Sequence, residues 1–138
     1  MQMFKRLHVF RIKPNEDLFK SIVKYCEEHK IKSAIVLGII GSLKKARLGF
    51  LKKLPGKYIE KEFNGPLEIV SGQGSVAICE QEVITHIHIC VGNEKKAVAG
   101  HLLPGSIVFS TAEVAIAELW EQLKRKKDEY TGLFELVG

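Results

Sequence analysis

The sequence predicts an α/β domain of the α+β type, with one helix near the N-terminus laid on a sheet of many strands. Two periodicities and one balance carry this reading. Leu18, Phe19, Ile22, Val23 and Cys26 recur at helical spacing, which makes one apolar stripe. Most of the remaining chain alternates, or runs apolar for a few residues between glycine and proline turns, which is the strand signature. The 138 residues, 46% hydrophobic and 27% charged, suffice for one domain with a sizeable core.

Leu7 opens the first strand, which runs to Ile12 and ends at Pro14-Asn15. Asn15 reads as an N-cap, and Glu16 and Asp17 suit a helix N-terminus through the macrodipole. The spacing predicts a helix over 16–28, with His29 exposed at its polar end. Residues 33–37 form a short apolar run, read as a buried strand. Gly38 and Gly41 around Ile39-Ile40 imply a bend or bulge. Residues 43–51 alternate imperfectly, and Leu54-Pro55-Gly56-Lys57 is a turn signal. Strands follow at 58–63, 67–70 and 75–79, divided by Asn64-Gly65-Pro66 and by Ser71-Gly72-Gln73-Gly74. That glycine pair lacks the spacing of a phosphate loop. Residues 107–109 alternate like a strand, but 112–123 combine helix propensity with a stripe of Ile116, Leu119, Trp120 and Leu123. Residues 124–127 read as a solvated basic run, and 133–137 as a last edge strand. His8 reads as a surface residue.

Thr85-His86-Ile87-His88-Ile89-Cys90 is the most informative stretch. Successive strand side chains alternate faces, so His86 and His88 share one face, roughly 6.5 Å apart along the strand. Thr85, Ile87 and Ile89 take the other face and suit a core. The turn Gly92-Asn93-Glu94-Lys95 lets a returning strand carry His101 back beside the pair, and Gly100 lets the backbone approach closely there. Cys90 shares the face but sits roughly 13 Å from His86 along an extended strand, so it reads as packing.

Lys plus Arg number 21 against 16 Asp plus Glu, a net charge of +5. This favours an acidic partner only weakly. Lys44, Lys45, Arg47, Lys52 and Lys53 are the candidate phosphate contacts, with 124–127 as a second patch. Cys26, Cys79 and Cys90 are odd in number with no CxxC spacing, as for reduced thiols in a cytoplasmic protein. No apolar run is long enough to cross a bilayer and no secretion signal is visible.

Several segments, in order, resemble the plant-and-prokaryote-conserved (PPC) domain family. They are Gly41-Ser42 with Ala46 to Phe50, His86-Ile87-His88, Gly100-His101-Leu102, Thr111-Ala112-Glu113, and Thr131-Gly132-Leu133 with Leu136. Ala99 departs from the glycine usual before that histidine. No Arg-Gly-Arg-Pro core occurs, so the minor-groove reader of the plant members does not carry over. The resemblance is to the stand-alone prokaryotic type. It implies a mostly antiparallel sheet sandwich with one long helix near the N-terminus, a single domain over 1–138, and a homotrimer. It also implies an extended chain over 113–119. Family members are described as DNA-binding by analogy, and some look like metal binders through the histidines matching His86, His88 and His101.

Two chemistries remain open at these histidines. They would give zinc or another divalent metal three ligands with a fourth position open, or form a hydrogen-bonded cluster at a subunit interface. Glu113 reads as a carboxylate orienting a ligand histidine, as a general base beside a metal-bound water, or as the ion-pair partner of Arg11 or Arg47, the first and last being favoured over catalysis. Two function classes follow. One is a trimeric binding module associated with DNA, regulation or a protein partner. The other is a metal-dependent enzyme acting on an unknown small molecule at the His86/His88/His101 pocket.

Overall fold

The computed structural model describes residues 4–138. Nine elements follow one another: β1 (Phe4–Ile12), α1 (Leu18–Glu28), β2 (Ala34–Lys53), β3 (Lys57–Cys79), β4 (Glu82–Gly92), β5 (Ala97–Leu102), β6 (Ile107–Leu119), β7 (Arg125–Lys127) and β8 (Phe134–Leu136). Six strands form one antiparallel sheet in the order β1-β6-β2-β3-β4-β5, and β7 and β8 pair as a separate hairpin.

The sandwich with one long helix is corrected here. Strand covers 67% of the chain and helix 8%, and β2 to β5 close into a small barrel. Closure comes from β5, which leaves β4 and pairs back onto β2 at Leu48↔Leu102 and Gly49↔His101. The physical reason lies in β2 and β3. Segments that read as five short strands are two continuous ones of 20 and 23 residues. Asn64-Gly65-Pro66 is no turn but an irregularity in the β2–β3 ladder, where the register shifts between Leu43 and Lys45. Bulges raise local twist and bend a strand, and long bent strands curl upon themselves rather than stack as two flat sheets.

The helix is short, 11 residues, and starts later than its sequence suggests. Asn15 takes a left-handed turn (φ 70) and Asp17 caps instead, its Oδ1 accepting from Lys20 N at 2.9 Å. Leu18, Ile22 and Cys26 are fully buried where the helix packs on β4 and β6. Residues 112–119 are extended, with Ala112, Val114, Ile116 and Ala117 buried. Pairing with β1 on one side and β2 on the other overrides their helix propensity. The basic run 124–127 likewise lies largely in strand β7. Among the described residues, no helix is long and apolar enough to cross a membrane.

His8 is buried rather than exposed, at 4% accessibility. Its Nδ1 meets the Tyr25 hydroxyl and its Nε2 meets Glu118 Oε1, each at 3.0 Å. His8 therefore ties β1 to α1 and β6. Tyr25 stacks between Phe10 and His29 in the same corner.

Candidate metal centre

Strand β4 sets the site by alternation. Thr85, Ile87, Ile89 and Val91 are buried in the core, while His86 and Cys90 are half-buried on the opposite face and His88 is exposed. The turn after β4 is stabilised by Asn93, whose Oδ1 accepts from Lys95 N at 2.9 Å and Lys96 N at 3.1 Å. It returns β5 antiparallel to β4, with His101 directly opposite His88. Side chains opposite each other in a ladder share a face. Two glycines permit the close packing behind the site. A Cβ on Gly74 would fall 2.1 Å from His86 O, and one on Gly100 would fall 3.0 Å from Gly49 O.

The three imidazoles converge. Ring centroids lie 4.9 Å apart for His86–His88 and His86–His101, and 5.4 Å apart for His88–His101. One ligand nitrogen from each lies within 4.8 Å of the others. His86 Nε2 and His88 Nε2 are 3.0 Å apart. Tetrahedral zinc with nitrogens at about 2.0–2.1 Å spaces them about 3.3 Å apart. Small ring rotations would therefore seat one ion among these donors.

The electrostatics favour the neutral form of His86 and His101, which is the ligand form. Burial, then the neighbouring His86, His88 and Arg125, push His101 down to about 4. Burial, then His88 and Arg125, also lower His86, against a smaller opposing pull from Glu135. His101 Nδ1 is buried with no hydrogen-bond partner among the described residues. A buried polar atom without a partner is costly, and an ion bound there would satisfy it. The donor set thus fits a divalent metal.

A recess of about 380 Å³ opens beside His86 and His101, walled by Tyr58, Leu103, Arg125, Leu133 and Phe134 among others. A second, of about 590 Å³, runs past His88, Cys90 and Lys52. The β7–β8 hairpin roofs the first. Arg125 Nη2 donates to Ser75 Oγ at 2.9 Å and lies 3.4 Å from His86 Nδ1, and Nη1 donates to the Phe134 carbonyl at 2.9 Å. Glu135 lines both recesses.

Glu113 lies elsewhere. It is exposed on β6, lining a separate recess with Val9, Ile40 and Val70, and no ion pair among the described residues involves it. Arg11 donates to Thr111 and Ser110, and Arg47 pairs with Glu60. The nucleic-acid candidates sit on β2, and most are already engaged. Lys44 donates to Asn15, Lys45 lies 3.8 Å from Glu62, and Lys52 lies over the Phe50 ring, while Lys53 ends the strand exposed. Sequence reasoning missed Arg125 and Glu135. Arg125 is the lone arginine in a lysine run, and Glu135 alternates with Phe134 and Leu136, but neither signal says where the hairpin folds back.

The family model of the Plants and Prokaryotes Conserved domain matches residues 2–120. A solved structure of a metal-containing protein from Archaeoglobus fulgidus is 30% identical, with TM-score 0.88 and 100% of both chains covered. A protein from Bacteroides thetaiotaomicron, provisionally assigned as DNA-binding, is 25% identical with TM-score 0.88 over 97% of this chain and 95% of its own. The bifunctional protein GlmU of a Synechococcus strain is 29% identical over 133 residues, 95% of this chain. The chain spans 20% of the length of that relative. With the family match running through six of the strands and all three histidines, the chain belongs to the Plants and Prokaryotes Conserved domain family.

Proposed function

We propose that His86, His88 and His101 hold one divalent metal ion such as zinc, and that the chain is a metal-centred module binding a small molecule in the adjoining recess. The carrying observation is the convergence of three ligand nitrogens within 4.8 Å, with burial favouring the neutral form of His86 and His101. The metal content of the Archaeoglobus relative supports the same reading. Three protein ligands leave zinc a position for water or a ligand. An adjoining recess rather than a flat surface favours a small molecule over a macromolecule. Calorimetric titration of metal-stripped protein with zinc tests this. A saturable site at micromolar zinc or below is expected; no heat and no retained zinc after dialysis would reject it.

The proposed module is a homotrimer. Val9, Ile40 and Val70 are 69%, 65% and 66% exposed, yet line one common recess across β1, β2 and β3. Exposed apolar groupings of this kind mark contact surfaces. Light scattering should return three times the monomer mass, and a monomer at micromolar concentration would refute the assembly.

DNA is the second reading, carried by the Bacteroides relative's assignment and by the net charge of +5. Because Lys45 and Arg47 already face carboxylates, any such binding is weak, sequence-independent and salt-sensitive. Tight, salt-resistant preference for one duplex over scrambled controls would overturn that.

A further inference from the structure

We infer that the recess beside the histidines takes a small carboxylate with an apolar body, and that Arg125 holds the carboxylate. The inference rests on the metal reading for the ligand's second anchor, but its charged anchor belongs to the protein alone.

Arg125 is a half-buried cation without a counter-ion. Five ion pairs exist among the described residues, and none includes it. Its acceptors are a hydroxyl, a carbonyl and the Nδ1 of His86, all neutral, and its buried Nε has no partner. A charge withdrawn from water and left unpaired is unfavourable, so this guanidinium has much to gain from an anion. The two acids in the same wall do not fill that role. Glu60 is engaged by Arg47, and Glu135 makes no ion pair with Arg125.

Metal entry would sharpen the demand. His86 turns Nε2 toward His88. With Nε2 on an ion, the neutral ring carries its proton on Nδ1. Nδ1 then donates and can no longer accept from Arg125. Two donors 3.4 Å apart would face each other, and a carboxylate between them accepts from both. The guanidinium fork matches a carboxylate in geometry as well as in charge. A divalent ion plus Arg125 against the single carboxylate of Glu135 also leaves the recess positive. The rest of the wall is apolar or aromatic, with Tyr58, Leu103, Leu133 and Phe134, which suits a short hydrocarbon body. Arg125 and Glu135 both lie on the C-terminal hairpin, past residue 120, where the family-model match ends.

Isovalerate is the probe and uncharged isovaleramide its control, followed by ligand-observed NMR on zinc-treated and metal-free protein, with zinc affinity measured on the same samples by calorimetry. Isovalerate should bind zinc-treated protein, and the amide at least about tenfold more weakly, as for a lost charge-assisted hydrogen bond. Arg125→Gln should lower isovalerate affinity by about tenfold or more while leaving zinc affinity within about threefold. Glu135→Gln should raise isovalerate affinity, a gain that no misfolded variant would produce. Equal affinity in Arg125→Gln, equal binding of the amide, or no binding of isovalerate to either form overturns the inference. If zinc fails to bind while metal-free protein still holds isovalerate through Arg125, the metal reading falls and the carboxylate site stands.

Discussion

His8 and the trio of His86, His88 and His101 occupy opposite ends of one question: what surrounds an imidazole that the chain has taken partly out of water. His8 is the most buried of them, yet both its nitrogens are met, by the Tyr25 hydroxyl and the Glu118 carboxylate. The trio is more open, yet its members lean chiefly on each other, and His101 Nδ1 has no partner. A satisfied histidine joins elements together. Converging, unsatisfied histidines hold their lone pairs ready for something else. Burial alone therefore does not separate structural from ligand histidines; the inventory of partners does.

Substitution should pull the two groups apart most strongly. His88→Ala should weaken zinc binding by at least about 100-fold, beyond the loss usual for outer partners of a ligand, with little change in melting temperature. His8→Ala should do the reverse. It takes a partner from Glu118 Oε1 and from the Tyr25 hydroxyl, while Lys5 still faces Glu118 Oε2 at 3.6 Å, and should cost about 1–3 kcal/mol of stability, with zinc affinity unchanged. Denaturant unfolding and zinc calorimetry on both variants give the four numbers. Equal zinc affinity in His88→Ala and wild type would break the comparison.

A second difference concerns pH. The folded-state pKa of His101, about 4, lies below its unfolded value of about 6.5. The unfolded chain therefore takes up this proton first. Stability of the metal-free protein from this group is complete above about pH 6.5 and lost as pH falls toward 4. His101→Gln should flatten that part of the unfolding free energy against pH. A slope unchanged by the substitution would show that other groups carry it. For the same reason, protonation of His101 should displace zinc only well below pH 6.5.

The smallest expected effect belongs to Glu113. It lines a recess that none of the three imidazoles enters, so Glu113→Gln should leave zinc affinity within about twofold. A larger loss would mean that assembly brings Glu113 of one copy to the histidines of another.

The sequence by itself determined the local rules. Alternation placed His86 and His88 on one face with Thr85, Ile87 and Ile89 beneath, because a strand's period of two depends only on the chain. The turn before His101 was likewise legible from Asn93 and its neighbours. The helix stripe was legible too, although its cap moved to Asp17.

Only the tertiary structure decided what pairing and closure determine. Asn64-Gly65-Pro66, which reads as a turn, and Gly72 and Gly74, which read as dividing two strands, lie inside one strand of 23 residues, because neighbours on both sides supply the ladder. The same ladders held 112–119 extended against their helix propensity. Barrel closure, unlike strand period, is a long-range event, and it set His101 against Gly49. The fate of His8, Arg125 and Glu135 rested on partners far away in sequence. His8 is 110 residues from Glu118, and Arg125 is 50 from Ser75. No local period encodes such meetings, since they depend on where the barrel brings the ends of the chain together.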